Sequence, residues 1–591
     1  MIVFDTEVYK NYFLFSAMDT ETKKIKHYEL FEGHPLDCAA IIGIMRKYTT
    51  LGFNSNNFDI PVLVAALTTK DTYKIKEVCD AIIQTSAPSW RIAKDFGLLL
   101  PTNWNHIDII EVAIGKASLK IYGGRLHANT IQDLPIAPDE VLTREQMITI
   151  RDYCENDLHT TALLYESLKP QINLRESMSE QYGIDLRSKS DAQIAEAVIV
   201  SELKKDTGKE YKKQNVADGQ TYKYADPHII KFQSPALNLL FNQILETGFE
   251  IGASGSIVLP GWMKEYDLKI NGAAYNLGIG GLHSCEKKQY LAADDNHLLI
   301  DLDVASYYPN IILQQKLSPK SMGKPFLKVY QSIVDRRISA KKAGDKVTAD
   351  VLKIVVNGSF GKLGSKYSTL YAPELLIQTT ITGQLALLML IERFELVGIK
   401  VVSANTDGVV MYCPVNKEHL LEEIAFDWML DTSFELERTN YKALASRDVN
   451  NYLAVKTDGK VKGKGIYAGT SLAKNPDFTI CTEAVANFVA NSTPIETTIR
   501  ECKDVRKFVS LRKVTGGAVW QGQYLGKAVR FYKSMSVPDT TNIEYVKNSN
   551  KVPNSSGTRP LMTLPDTFPA DVDYDFYITR ANDYLLETGY K

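Results

Sequence analysis

The stretch NHLLIDLDVASYYP, residues 296–309, decides the reading of this chain. Its apolar run, broken by Asp301 and Asp303, predicts a β-strand, and the Ser-Tyr-Tyr-Pro that follows predicts a turn. Side chains alternate across a strand, so Asp301 and Asp303 share one face. Further on, VVSANTDGVVMY (401–412) reads as two strands around a tight turn that carries Asp407. Three more acidic strings lie upstream: Asp5-Thr6-Glu7, NSNNFD (54–59) and YCEND (153–157). Carboxylates in small sets, far apart in sequence and carried on strands or helix starts, are what hard divalent cations such as Mg2+ require for phosphoryl transfer.

At 591 residues and 66.2 kDa the chain predicts several substructures, each with a core of its own. Lys plus Arg number 68 against 70 for Asp plus Glu, so any phosphate-binding surface is local, with the acidic sites cancelling it in the sum. Seven cysteines, an odd number and never spaced C-x-x-C, argue for a reducing compartment and against a zinc or iron–sulfur module. No apolar run approaches the roughly 18 residues of a membrane span, and the start MIVFDTEVYKN lacks a signal-peptide pattern. The expectation is a cytoplasmic protein, in host cytoplasm if viral.

Residues 1–170 alternate strand-like and helical runs, the pattern of an α/β domain. Helical texture prevails over 171–270, with a polar loop at 204–228. In YNLGIGGLHS (275–284), Gly280-Gly281 predicts a hairpin or a close backbone approach. Residues 325–363 read as two basic helices separated by AGDK, with Arg336, Arg337, Lys341 and Lys342 on the first and Lys353 on the second. A long apolar helix follows (ITGQLALLMLIERFELV), and beyond 456 strands and helices alternate.

Asp5 and Glu7 leave one face of their strand and can share a cation. Tyr153 and Asp157, four apart, share one face of a helix. Together with Asp59, these acids can hold two cations about 4 Å apart, with Tyr153 orienting the attacking water. In this order the strings resemble the DEDD exonuclease superfamily in its tyrosine variant. GFNSNNFDIPVL (52–63) is similar to the second exonuclease motif of family B DNA polymerases. That resemblance implies that Asn54 and Phe58 handle a single-stranded 3' end. Val8 stands where the family often has Thr.

The string DVASYYPNII (303–312) resembles the family B pattern D-x-x-S-L-Y-P-S-I-I, with Tyr307 for Leu and Asn310 for Ser. The resemblance implies that Asp303, Val304 and Asp407 bind two Mg2+ ions, with Mn2+ as a substitute. It also implies that the ring of Tyr308 lies beneath the sugar and rejects a 2'-OH. KIVVNGSFGK (353–362) is similar to K-x-x-x-N-S-x-Y-G, with Gly358 for Ser and Phe360 for Tyr. Lys353 and Asn357 share a helical face and converge on a triphosphate. Lys341 and Arg337 are further candidates for phosphate ligands, and the resemblance implies DNA contacts for Phe360 and Gly361. The family's D-T-D-S is here Asn405-Thr406-Asp407-Gly408, so one charge is lost. Asp301 either replaces part of it or is structural. NNYLAVKTDGKVKGKG (450–465) resembles the K-x-Y segment that tracks the primer, with Asn450 for Lys and Tyr452 retained. Lys460, Lys462 and Lys464 are candidates for the backbone charge.

The fold implied is an α/β multidomain chain. A ribonuclease H-like 3'-5' exonuclease domain (1–170) and a helical connecting region (171–270) precede a right-hand polymerase. Its antiparallel palm spans 271–312 and 370–455, its helical fingers 313–369 and its thumb 456–591. The activity implied is DNA-templated DNA synthesis with proofreading, with primer-template DNA and dNTPs as substrates. The chain would be a monomer off the membrane, helped by helicase, primase or a processivity factor.

With the first acid at residue 5, the amino-terminal domain of large replicative family B enzymes is not expected, and the length resembles the compact phage branch of the family. Yet only 50 positions separate Asp303 from Lys353, and 50 separate Asn357 from Asp407. Neither gap holds the large insertions of protein-primed enzymes, so a nucleic-acid primer is expected. Two rivals stand. One is an exonuclease whose polymerase half has decayed to a scaffold. The other is a single-strand binding protein using aromatics and lysines, which leaves the spaced carboxylates unexplained.

Overall fold

Residues 1–591 are described by a computed structural model, and the α/β chain divides into two units. One comprises Met1–Ser190, Thr470–Ile480 and Cys502–Tyr577; the other comprises Asp191–Gly469, Cys481–Glu501 and Ile578–Lys591.

The first unit is built on a five-stranded sheet. Strands Ile2–Tyr9, Tyr12–Asp19 and Ile25–Leu30 form an antiparallel meander, and Thr50–Gly52 and His106–Asp108 add in parallel beyond Ile2–Tyr9. Alternation along Ile2–Tyr9 sends Phe4 and Val8 into a core with the helices Asp59–Thr69 and Thr72–Thr85. Val3 goes to the opposite face, against Leu158, Ala162 and Tyr165 of the helix Arg144–Tyr182. Asp5 and Glu7 share the Val3 face, which that long helix covers. A capping box between Thr143 and Gln146 starts the helix, and Gly183 at φ 67° ends it.

Residues 502–577 belong to this first unit, which corrects the expected single C-terminal element over 456–591. The strands Val509–Trp520 and Gln523–Lys533 form a hairpin that docks on the helix Leu119–Arg125, where Ile121, Ile131, Leu511 and Ala528 make one cluster. Gly124 lets it close, because a Cβ there would lie 2.5 Å from Leu511 Cδ1. The hairpin is also held by fully buried Arg530, which donates to the carbonyls of Leu561, Ala128, Asn129 and Met562. Arg530→Met would leave these acceptors without their donor, so a loss of about 3 kcal/mol in urea unfolding is expected.

The second unit centres on a ten-stranded sheet whose strand pairs are antiparallel. His297–Val304 lies between Gly408–Pro414 and Leu436–Asp448. Ile300, Leu302 and Val304 face a core filled by the helix Pro373–Leu396, while Leu299, Asp301 and Asp303 take the other face. Contrary to the expectation that no run approaches membrane-spanning length, that helix is long and apolar enough to cross a bilayer, with 89% of its apolar window buried within the fold. The basic helices Lys324–Ala343 and Lys346–Leu363 form a hairpin joined by Asp191–Thr207.

The stretch 171–270 is therefore not one helical connector. The long helix runs through to Tyr182 in the first unit, and Leu268–Ile270 is already an edge strand of the second unit's sheet.

Candidate active sites

In the first unit, Asp5 and Glu7 project beside Asp157, and Asp59 begins its helix from the next strand connection. Asp59 is fixed by Thr6, whose N–H and hydroxyl both donate to Oδ1, at 3.1 and 2.6 Å. Burial and then the charges of Asp59, Glu7 and Asp157 push the Asp5 carboxyl well above its usual range. Burial and Asp157 do the same to Glu7, against the opposing pull of Lys120. Asp59 is pushed up to about 7 by burial despite its Thr6 hydrogen bonds, and Asp157 to about 6 by burial despite Lys120. Four acids crowded out of water repel one another, and divalent cations would relieve both causes.

Tyr153 is buried on the same helical face, and burial, then the charge of Asp157, push its hydroxyl well above the usual range. The Lys120 ammonium lies 5.0 Å above its ring. Asn54 adopts φ 59°, and the loop around it is pinned by buried Asp108, which accepts from the N–H groups of Asn54 (2.8 Å) and Asn56 (2.9 Å). Phe58 packs partly against the apolar core at the helix start. Thr6, Asp108 and Lys120 escaped the sequence reading. Only Thr6, between two acids, carried a visible signal. Cys154, unforeseen too, places Sγ 3.7 Å from Asp5 Oδ2. Burial and the Asp5 and Glu7 charges push its thiol up, so it donates to Asp5 rather than acting as a thiolate ligand.

In the second unit, the two remaining acidic strings meet. Asp303, next to last in its strand, is in register with Gly408, and Val304 N donates to Asp407 O at 2.7 Å. Asp303 and Asp407 line one pocket of about 340 Å³ together with Asp301, Asn405, Tyr441, Tyr452, Lys462 and Lys464. Burial, then Asp301, push Asp303 up to about 6 while Lys462 opposes; burial also raises Asp407. Both turns are strained, with Ser306 at φ 47° and Thr406 at φ 60°. Asn310 Nδ2 donates to Ala305 O at 2.8 Å and stabilises the first turn. Of the hairpin or close backbone approach expected at Gly280-Gly281, the approach is found at Gly281, where a Cβ would lie 3.1 Å from Thr406 Cα.

The departures from the family strings have local reasons. A Cβ at Gly408 would lie 2.3 Å from Asp303 Oδ1, so glycine leaves that space to the carboxylate. A Cβ at Gly358 would lie 2.6 Å from Asp191 O, where the neighbouring helix passes. Asn405 turns its amide to Val449 O at 3.2 Å.

Tyr308 stacks on Phe360 with centroids 4.3 Å apart and donates to Gly280 O at 2.5 Å, so Phe360 is committed to the tyrosine. Lys353, Asn357 and Gly361 lie exposed along one helix. Arg337 reaches Ser306 Oγ at 3.3 Å, and Lys341 lies 3.8 Å from Glu437. Of the three candidate lysines after Tyr452, Lys462 and Lys464 line the pocket, while Lys460 is exposed and paired with Asp458. Lys462 is engaged by Asp301 at 3.4 Å.

No protein-family model matches the chain. Part of it is similar to DNA polymerase 1 of Sulfolobus acidocaldarius, 28% identical over 125 residues, which is 21% of this chain and 14% of that protein. Another similarity is to DNA polymerase 1 of Aeropyrum pernix, 24% identical over 214 residues, covering 30% of this chain and 22% of that protein. The matched segments thus span less than a quarter of either relative. Among solved structures, the family B DNA polymerase from Pyrobaculum calidifontis covers 99% of this chain and 77% of its own, at 14% identity and a TM-score of 0.42. The chain resembles family B DNA polymerases in its motifs and is similar to named DNA polymerases in its sequence.

Proposed function

We propose that this chain is a DNA-templated DNA polymerase with its own 3'-5' proofreading exonuclease, each activity using two Mg2+ ions. The observation that carries this reading is the meeting of Asp303 and Asp407 in one pocket, from strings about a hundred residues apart. Asp303 and Asp407, with the Val304 carbonyl, would hold the cations. One cation would lower the pKa of the primer 3'-OH, and the other would neutralise the triphosphate. Lys353, Asn357, Arg337 and Lys341 would bind the phosphates, and Tyr452 and Lys464 the primer. Asp5, Glu7, Asp59 and Asp157, with Tyr153 orienting water, would hydrolyse a frayed 3' end held by Asn54 and Phe58.

In this reading 1–170 is the ribonuclease H-like domain, the ten-stranded sheet is the palm of a right hand, and the basic helix pair forms the fingers. A thumb would come only from what remains of 456–591 in the second unit. A nucleic-acid primer, accessory replication proteins and a phage genome as template complete the proposal.

The experiment is a labelled primer-template incubated with Mg2+, with and without four dNTPs. Lengthening with dNTPs and shortening without them are expected. Shortening alone would favour the second reading, an exonuclease with a decayed polymerase half, which the neutral Asn405 turned toward Val449 supports. Neither product would reject both.

If Tyr308 is the sugar gate, Tyr308→Ala removes the ring that meets a 2'-OH. Its discrimination against ribonucleotides should fall by up to roughly a hundredfold, read as the ratio of dNTP to rNTP incorporation. Unchanged discrimination would remove that role.

A further inference from the structure

We propose that Asp301 and Lys462 form a relocated charge pair that positions the Lys462 ammonium over the polymerase carboxylates, replacing charges lost at Asn405 and Asn450. This rests on the polymerase reading above. The two neutral positions adjoin: Asn405 Nδ2 donates to Val449 O, the residue beside Asn450. In the resembled strings these positions are an acid and a lysine, so their replacement removes one charge of each sign. The same pocket holds another acid and another lysine.

Asp301 is 4% exposed, on the strand face that carries Asp303. Its Oδ2 accepts from the Tyr441 hydroxyl and from Lys462 Nζ at 3.4 Å. Lys462 Nζ also lies 3.3 Å from the Tyr441 oxygen. A buried carboxylate with no cation partner would be costly, and Lys462 without it would be a mobile surface side chain. The pair fixes the lysine on the pocket wall beside Tyr452. There its charge can meet the developing negative charge of the reacting phosphates. Asp301 is thus a positioning residue acting through Lys462.

The test uses the full chain and reads extension, its Mg2+ dependence, 3' trimming and thermal unfolding from each preparation. Asp301→Asn and Lys462→Met should each slow extension about tenfold or more, with trimming retained. The Mg2+ concentration for half-maximal extension should move in opposite directions. It should rise when the acid is neutralised and fall when the lysine is removed, because the pocket's net charge changes with opposite sign. Adding Asn405→Asp and Asn450→Lys to the double variant should restore most of the lost rate, since the charges return by the other route.

Parental rates in either single variant would overturn the proposal. So would Mg2+ shifts of the same sign, or failure of the restored pair to rescue a chain that still folds and trims. An unaltered chain that trims but never extends would reject the polymerase reading itself, and this inference with it.

Discussion

Asp407→Ala is expected to lower primer extension by about a thousandfold or more and to leave 3' trimming intact. Asp407 sits at the tip of a turn, and the hydrogen bonds that set that turn run through its backbone N–H and carbonyl. Alanine keeps these bonds, so the melting temperature should stay near that of the unaltered chain. What disappears is one of the two carboxylates that line the same pocket and would hold the cations of the proposed reaction. A steady-state comparison of nucleotide incorporation with exonucleolytic release from the same labelled primer reads the effect.

The reverse pattern is expected of Asp5→Ala combined with Glu7→Ala: trimming falls by about a thousandfold and extension persists. This variant also carries a stability signature. Both carboxyls are held well above their ordinary values of 3.8 and 4.5, mainly by burial. The folded chain therefore binds more protons than the unfolded chain above those ordinary values, and each group costs stability as pH rises through that window. With cations stripped by chelator, the double variant should melt above the unaltered chain at pH 8, and the gap should close below about pH 4. Loss of both activities in each of the two folded variants would mean that the sites are not separate.

Much of the local structure was legible because it follows from short-range rules. The period-2 alternation in HLLIDLDV placed Asp301 and Asp303 on one face, and the spacing of Tyr153 and Asp157 placed them on one helical face. Gly280-Gly281 signalled a hairpin or a close backbone approach, and Gly281 makes such an approach, though its partner Thr406 was not legible. What was not legible depends on contacts between distant segments. Nothing in residues 502–577 indicates that Leu511 fits against Gly124, or that Arg530 donates to carbonyls about four hundred residues earlier. Asp108 belongs to no recognisable string, yet its carboxylate shapes the loop around Asn54. The Asp301–Lys462 pair joins two strands 161 positions apart, a pairing that neither local sequence encodes.

The central claim is that two acidic pockets in one chain each bind catalytic cations. Anomalous diffraction from crystals soaked in Mn2+ tests it most directly. Density for bound manganese between Asp303 and Asp407, and again among Asp5, Glu7, Asp59 and Asp157, is the predicted result. Full activity at a manganese concentration that leaves either pocket empty would contradict the account.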